Sequence, residues 1–139
     1  GVLTGWMVGN THRFRAAVVQ KTVINWYSWV LTADLPSFGM KYLFTGPPWE
    51  NEATYMKYSP ISYVGNVNTP TMMITGEVDY RTPSDEAEQF YAALKLRKLP
   101  SALVRIPEAS HEIAARPSHM MAKVAYVLAW FAKYGGAPN

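Results

Sequence analysis

Residues 71 to 83 read Thr-Met-Met-Ile-Thr-Gly-Glu-Val-Asp-Tyr-Arg-Thr-Pro. The start of this run has no polar face and lies between Pro70 and Gly76, which suits a parallel strand covered by helices on both sides. In such sheets chemistry collects at the carboxyl ends of the strands, and this end presents Asp79. A second unit of the same kind follows: Ala102 to Ile106 reads as a strand, and Pro107-Glu108-Ala109-Ser110-His111 as its loop. An acid and a histidine therefore stand at the ends of successive strands, with a helix between them.

That intervening helix opens at Thr82-Pro83-Ser84-Asp85, with Ser84 or Thr82 as the expected cap, and runs to about Arg97. Ala87, Phe90, Tyr91 and Leu94 give it one apolar stripe. Upstream, Val2 to Val8 has near-helical apolar spacing, closed by Gly9-Asn10, and Phe14 to Gln20 reads as a buried strand whose carboxyl end points to Lys21, Thr22 and Asn25. Residues 23 to 46 are rich in aromatics and broken by Pro36 and Gly39, so helical turns and loops are expected there. Pro47-Pro48 is a hard break, Glu50 to Tyr58 a short helix ended by Ser59-Pro60, and Ile61 to Asn68 a connection. Downstream, Pro117 to Tyr134 is the longest helix, with Met121, Val124, Ala125, Leu128 and Phe131 expected to face inward; Gly135-Gly136 ends it and the last three residues are expected to fray.

The order helix, strand, irregular insert, strand, helix, strand, helix is half of a doubly wound α/β sheet. Three parallel strands would leave an edge and both faces poorly covered. Residues upstream of Gly1, or another chain, are expected to complete the sheet.

Composition bounds the alternatives. A chain of 139 residues with 49% apolar and 17% charged side chains has an ordinary globular make-up and length for one sizeable core. The formal charge of +3 is scattered without a basic run, which argues against nucleic acid or a membrane surface as partner. The absence of cysteine excludes disulfides, thiolate metal sites and a cysteine nucleophile. No apolar run approaches a membrane span.

A carboxylate that accepts a bond from imidazole Nδ1 sets the tautomer and supports the imidazolium formed in catalysis. Asp79 suits that role toward His111, although an aspartate in a turn can also serve the turn itself. Glu77, two residues earlier, points to the same side of an extended segment and remains a competitor. His12 and His119 read as surface residues. Neither metal-ligand spacing nor a glycine-rich phosphate cradle occurs, so no metal or cofactor is called for. The aromatic segment 26 to 44 is either core under an irregular insert or the wall of a hydrophobic substrate pocket. A nucleophile is missing: no serine sits in a Gly-x-Ser-x-Gly elbow. The chain order nucleophile, Asp, His is that of the α/β-hydrolases, in which the nucleophile comes first.

Several stretches carry a resemblance. Gly1-Val2-Leu3-Thr4 resembles the tail of a Gly-x-Ser-x-Gly-Gly elbow, and Asn10-Thr11-His12-Arg13-Phe14, Asn25-Trp26-Tyr27-Ser28, Pro47-Pro48-Trp49-Glu50, Ser59-Pro60, Thr69-Pro70-Thr71, Gly76 to Pro83 and Ala109-Ser110-His111 fit the same pattern. Together they resemble the prolyl oligopeptidase family of serine peptidases, especially its acylaminoacyl peptidase and dipeptidyl aminopeptidase branch. The resemblance spans Gly1 to about Tyr134. It implies that residues 1 to 139 are the C-terminal portion of an α/β-hydrolase peptidase domain. It also implies that Asp79 and His111 are the catalytic acid and base, and that Trp26 and Phe38 belong to the hydrophobic specificity pocket. Glu112 stands where the family often has a small residue. The family serine, the oxyanion-hole segment and the β-propeller have no counterpart here, so these residues alone are expected to be inactive. A peptide substrate, the N-terminal half of the catalytic domain, no cofactor, a cytoplasmic location and compatibility with a homo-oligomer complete the expectation. An esterase or thioesterase of the same fold, and a non-catalytic module binding through the sheet edge, are the alternatives.

Overall fold

The structure, a computed structural model, describes residues 1–136; the expected fraying of residues 137–139 lies outside them. In chain order the elements are α1 (Val2–Asn10), β1 (Ala17–Gln20), α2 (Trp26–Thr32), a single turn α3 (Pro36–Phe38), a π-helical turn (Gly39–Leu43), a 3₁₀ turn (Pro48–Glu50), α4 (Glu52–Tyr58), a 3₁₀ run (Pro60–Asn66), β2 (Thr71–Gly76), α5 (Ser84–Leu96), β3 (Ser101–Ile106) and α6 (Pro117–Tyr134). The three strands form one parallel sheet in the order β1-β2-β3. Every residue of β2 is buried, as the apolar run predicts for a central strand.

Alternation along β2 divides the core in two. Met73 points to one face, where Val8 of α1, Val19 of β1 and Ala87, Phe90 and Leu94 of α5 pack around it. Met72 and Ile74 point to the other, against Ile106, Ala109, Ile113 and Trp130 of α6. A third cluster, Val23, Trp29, Val30, Phe44 and Tyr55, holds the insert between β1 and β2, with the Phe44 and Tyr55 rings stacked at 4.0 Å.

Four expectations are corrected. β1 begins at Ala17, not Phe14, because Ala17 N–H already bonds to the Pro70 carbonyl just before β2 begins, and Pro70 has no N–H with which to extend the ladder. The helix expected from Glu50 splits at Asn51 into a 3₁₀ turn and α4. Neither Ser84 nor Thr82 caps α5: Pro83 is the cap residue, Ser84 is already helical, and the Thr82 hydroxyl is engaged elsewhere. On α6 the stripe expected to face inward points outward, with Met121 73% and Leu128 64% exposed, and Val124, Ala125 and Phe131 exposed beside them. The face turned to the sheet is instead Ala122, Val127, Trp130 and Tyr134. α6 is apolar over most of its circumference, and the bulk of Trp130 fills the space over Met72 and Ile74, so periodicity alone does not select the buried face.

Candidate active site

The two loops that leave β2 and β3 are zipped together by backbone. Glu77 N–H bonds to the Ile106 carbonyl at 3.0 Å and Val78 N–H to the Ala109 carbonyl at 3.0 Å. Gly76 makes this possible, since its lack of a side chain lets the Ala109 and Ser110 carbonyls pass against it. The result carries Asp79 and His111 to one point. Nδ1 of His111 lies 3.0 Å from Oδ2 and 3.2 Å from Oδ1 of Asp79.

The environments of the two side chains differ. The Asp79 side chain is fully buried, whereas that of His111 is 40% exposed. Oδ1 of Asp79 accepts the Arg81 and Thr82 N–H groups at 3.0 and 2.8 Å, and Oδ2 accepts the Thr82 hydroxyl at 2.9 Å. These donors compensate a buried carboxylate and leave it an acceptor, so the Nδ1 of His111 carries the proton toward it. Nε2 then has its lone pair free. Among the described residues it has no hydrogen-bond partner, and it is not sealed from solvent. Asp79 thus serves its turn and His111 together. Glu77 turns away and accepts the Glu108 N–H at 3.1 Å, which removes it as competitor. No group of three or more His, Asp or Glu side chains among the described residues is arranged to hold a metal.

The insert is tied to the same turn. Trp29 Nε1 donates to the Arg81 carbonyl at 2.7 Å and Asp34 N–H to the Tyr80 carbonyl at 2.8 Å. The Arg81 guanidinium meets Asp34 at 2.8 Å and holds its carboxyl below the ordinary value; both side chains are exposed, so the pair aligns more than it stabilises. Beyond α2 lies an apolar cavity of about 460 Å³ lined by Val2, Leu3, Trp6, Trp26, Leu43, Phe44 and Tyr58. The Trp26 indole is held in that wall, its Nε1 donating to the Tyr58 carbonyl at 3.0 Å. Phe38 does not line this cavity: it is 47% exposed and leans on Tyr42. The single turn of α3 points it to solvent. His12 is exposed and His119 only half-buried.

Two residues at the site escape a reading by motif. Thr82 offers itself in sequence only as a helix cap, yet its hydroxyl completes the shell of Asp79. Glu86 carries a signal, since it precedes Phe90 and Leu94 by one and two helical turns and so puts a carboxylate on the buried stripe of α5.

A parallel sheet with flanking helices and an acid and histidine at the ends of consecutive strands defines the α/β-hydrolase class. The model of the prolyl oligopeptidase family matches residues 1–137, and the chain belongs to that family. It is 35% identical over 133 residues to the uncharacterized peptidase YuxL of Bacillus subtilis, covering 94% of this chain and 20% of that protein. To the acylamino-acid-releasing enzyme of Mus musculus it is 29% identical over 123 residues, covering 82% of this chain and 16% of that one. Among solved structures, the acylaminoacyl peptidase of Pyrococcus horikoshii superposes with a TM-score of 0.89 at 26% identity, covering 96% of this chain and 22% of that one. The fold is the C-terminal α/β-hydrolase part of such structures. The chain spans about a fifth of the length of the curated relatives it matches.

Proposed function

We propose that these residues supply the acid, the base and part of the specificity pocket of a serine peptidase that acts on short peptides, with acylaminoacyl or dipeptidyl peptidase character. The observation that carries the reading is the contact between buried Asp79 and half-exposed His111 at 3.0 Å. On this reading a serine from outside these 139 residues attacks the peptide carbonyl. His111 Nε2 takes its proton and later delivers it to the leaving amine, while Asp79 holds the tautomer and offsets the charge of the imidazolium. Trp26 and the apolar cavity receive the side chain beside the scissile bond, an assignment that membership in the family and the lining residues both support.

The reading extends to the whole protein as a proposal. The remaining part of the catalytic domain pairs with the open edge of β1, a β-propeller limits entry to short peptides, and a homo-oligomer and a cytoplasmic location accompany them. No helix among the described residues is long and apolar enough to cross a membrane. The test is hydrolysis. The full-length polypeptide is expected to cleave a short aromatic peptide amide faster than the matched ester relative to their uncatalysed rates, and residues 1 to 139 alone to cleave neither. Preference for the ester, or activity of the 139 residues alone, would sink the proposal.

A further inference from the structure

Glu86 is the one carboxylate of α5 that is fully buried, and no lysine or arginine pairs with it among the described residues. All of its partners are neutral groups at the start of the insert. Oε2 accepts the Ile24 and Asn25 N–H groups, both at 2.8 Å, and Oε1 accepts the Ser28 hydroxyl at 2.5 Å. Burial pushes its carboxyl above the ordinary glutamate value, against the pull of these bonds. A leucine or methionine would continue the apolar stripe without that desolvation cost, so packing alone does not account for an acid here.

The location of these bonds shows what the acid achieves. Asn25 caps α2, its side chain accepting the Tyr27 N–H at 3.0 Å, and the next residue is Trp26, whose N–H bonds to Ser59 Oγ at 2.9 Å. The start of α2 is therefore held by Glu86, its middle by the Arg81 carbonyl at Trp29, and the chain just past its end by the Tyr80 carbonyl at Asp34. These anchors belong to one short segment, residues 79 to 86, and that segment also carries Asp79. The cavity wall and the catalytic acid thus share a single support.

We infer that Glu86 is a positioning residue: it holds Trp26 in register with the Asp79–His111 pair, and thereby sets the preference for a large apolar side chain beside the scissile bond. The inference rests on the peptidase reading above. Without the carboxylate, the buried Ile24 N–H and the partly buried Asn25 N–H lose their acceptor, and the start of α2 moves to find water or another partner. The Asp79 turn has its own donors and stays in place. Selectivity should therefore fall further than turnover.

The experiment measures kcat and KM of the full-length polypeptide on two peptide amides that differ only in Phe or Ala beside the scissile bond. Glu86→Ala is expected to lower the Phe over Ala ratio of kcat/KM by about tenfold, chiefly through KM for the Phe substrate. Glu86→Gln is expected to keep the ratio within about threefold, because its amide oxygen can accept from Ile24 and Asn25 while Ser28 Oγ turns to accept its amide N–H. Should Glu86→Ala fail to fold, Ser28→Ala decides: it removes one bond of the set and is expected to lower the same ratio by about threefold. An unchanged ratio in folded Glu86→Ala, or in Ser28→Ala where that variant decides, overturns the inference, as does a Glu86→Ala variant that loses both substrates equally. A wild type that cleaves neither substrate overturns the peptidase reading and this inference with it, a result distinct from the others.

Discussion

Gly76 and Ala109 meet backbone to backbone, so that a β-carbon on residue 76 would lie 2.3 Å from the Ala109 carbonyl oxygen. The Ser110 carbonyl would be 2.6 Å away, and neither oxygen can swing aside as a flexible side chain would. Gly76→Ala is therefore expected to push the loop of His111 away from Asp79, at a cost of about 1–3 kcal/mol in folding stability. Denaturant unfolding beside kcat/KM measures both consequences. Wild-type stability together with wild-type activity would contradict the close approach.

On the proposed reading, Asp79 governs the tautomer of His111. In Asp79→Asn the Arg81 and Thr82 N–H groups keep the amide oxygen at the Oδ1 position, which turns the amide N–H₂ toward the imidazole. Nδ1 must then accept, Nε2 carries the proton, and the base is disabled. In the full-length polypeptide kcat is expected to fall by roughly 10⁴-fold for Asp79→Asn, and by that or more for His111→Ala. The double variant should be no slower than the slower single one. A loss below tenfold in either single variant would return both residues to a role in the turn.

Trp26 and Phe38 separate under the same assay. Trp26 lines the apolar cavity and Phe38 stands half in solvent. Trp26→Ala is expected to lower kcat/KM for a large apolar side chain by about tenfold or more relative to a small one, whereas Phe38→Ala leaves that ratio near its wild-type value. The reverse result would put the pocket on the other side of the insert.

Glu86 makes stability depend on pH. Burial raises its carboxyl above the ordinary value of 4.5, opposed by bonds from Ser28, Asn25 and Ile24, and the neighbouring charge of Asp85 adds to the rise. The folded state thus holds this proton more tightly than the unfolded chain. Between the ordinary and the raised value it binds more protons, so its stability falls as pH climbs through that window. Glu86→Gln removes the contribution. Wild type minus variant, followed by denaturant midpoint from about pH 4 to 8, is expected to decline with pH and then level; a flat difference would show that the carboxyl does not titrate there.

Much of the fold and of the site was legible in residue order, and what escaped has a common cause. The apolar run of β2 between Pro70 and Gly76 announces a central parallel strand, because only burial on both faces tolerates it. With β3 it places Asp79 and His111 at neighbouring strand ends. The local patterns that misled are those with two solutions. On α6 both Met121 and Trp130 lie on apolar stripes, and the sheet accepts the one that fills the hollow over Met72 and Ile74.

Residue order by itself determined the succession of strands and helices, the central place of β2, and the acid and histidine at adjacent strand ends. Only the tertiary structure decided that Asp79 rather than Glu77 meets His111, that Trp26 and not Phe38 lines the cavity, which face of α6 is covered, and that Glu86 holds residues about sixty positions away. The physical reason is range: propensity and periodicity act over a few residues, whereas the partner of a buried polar group is set by whatever the folded chain brings opposite it.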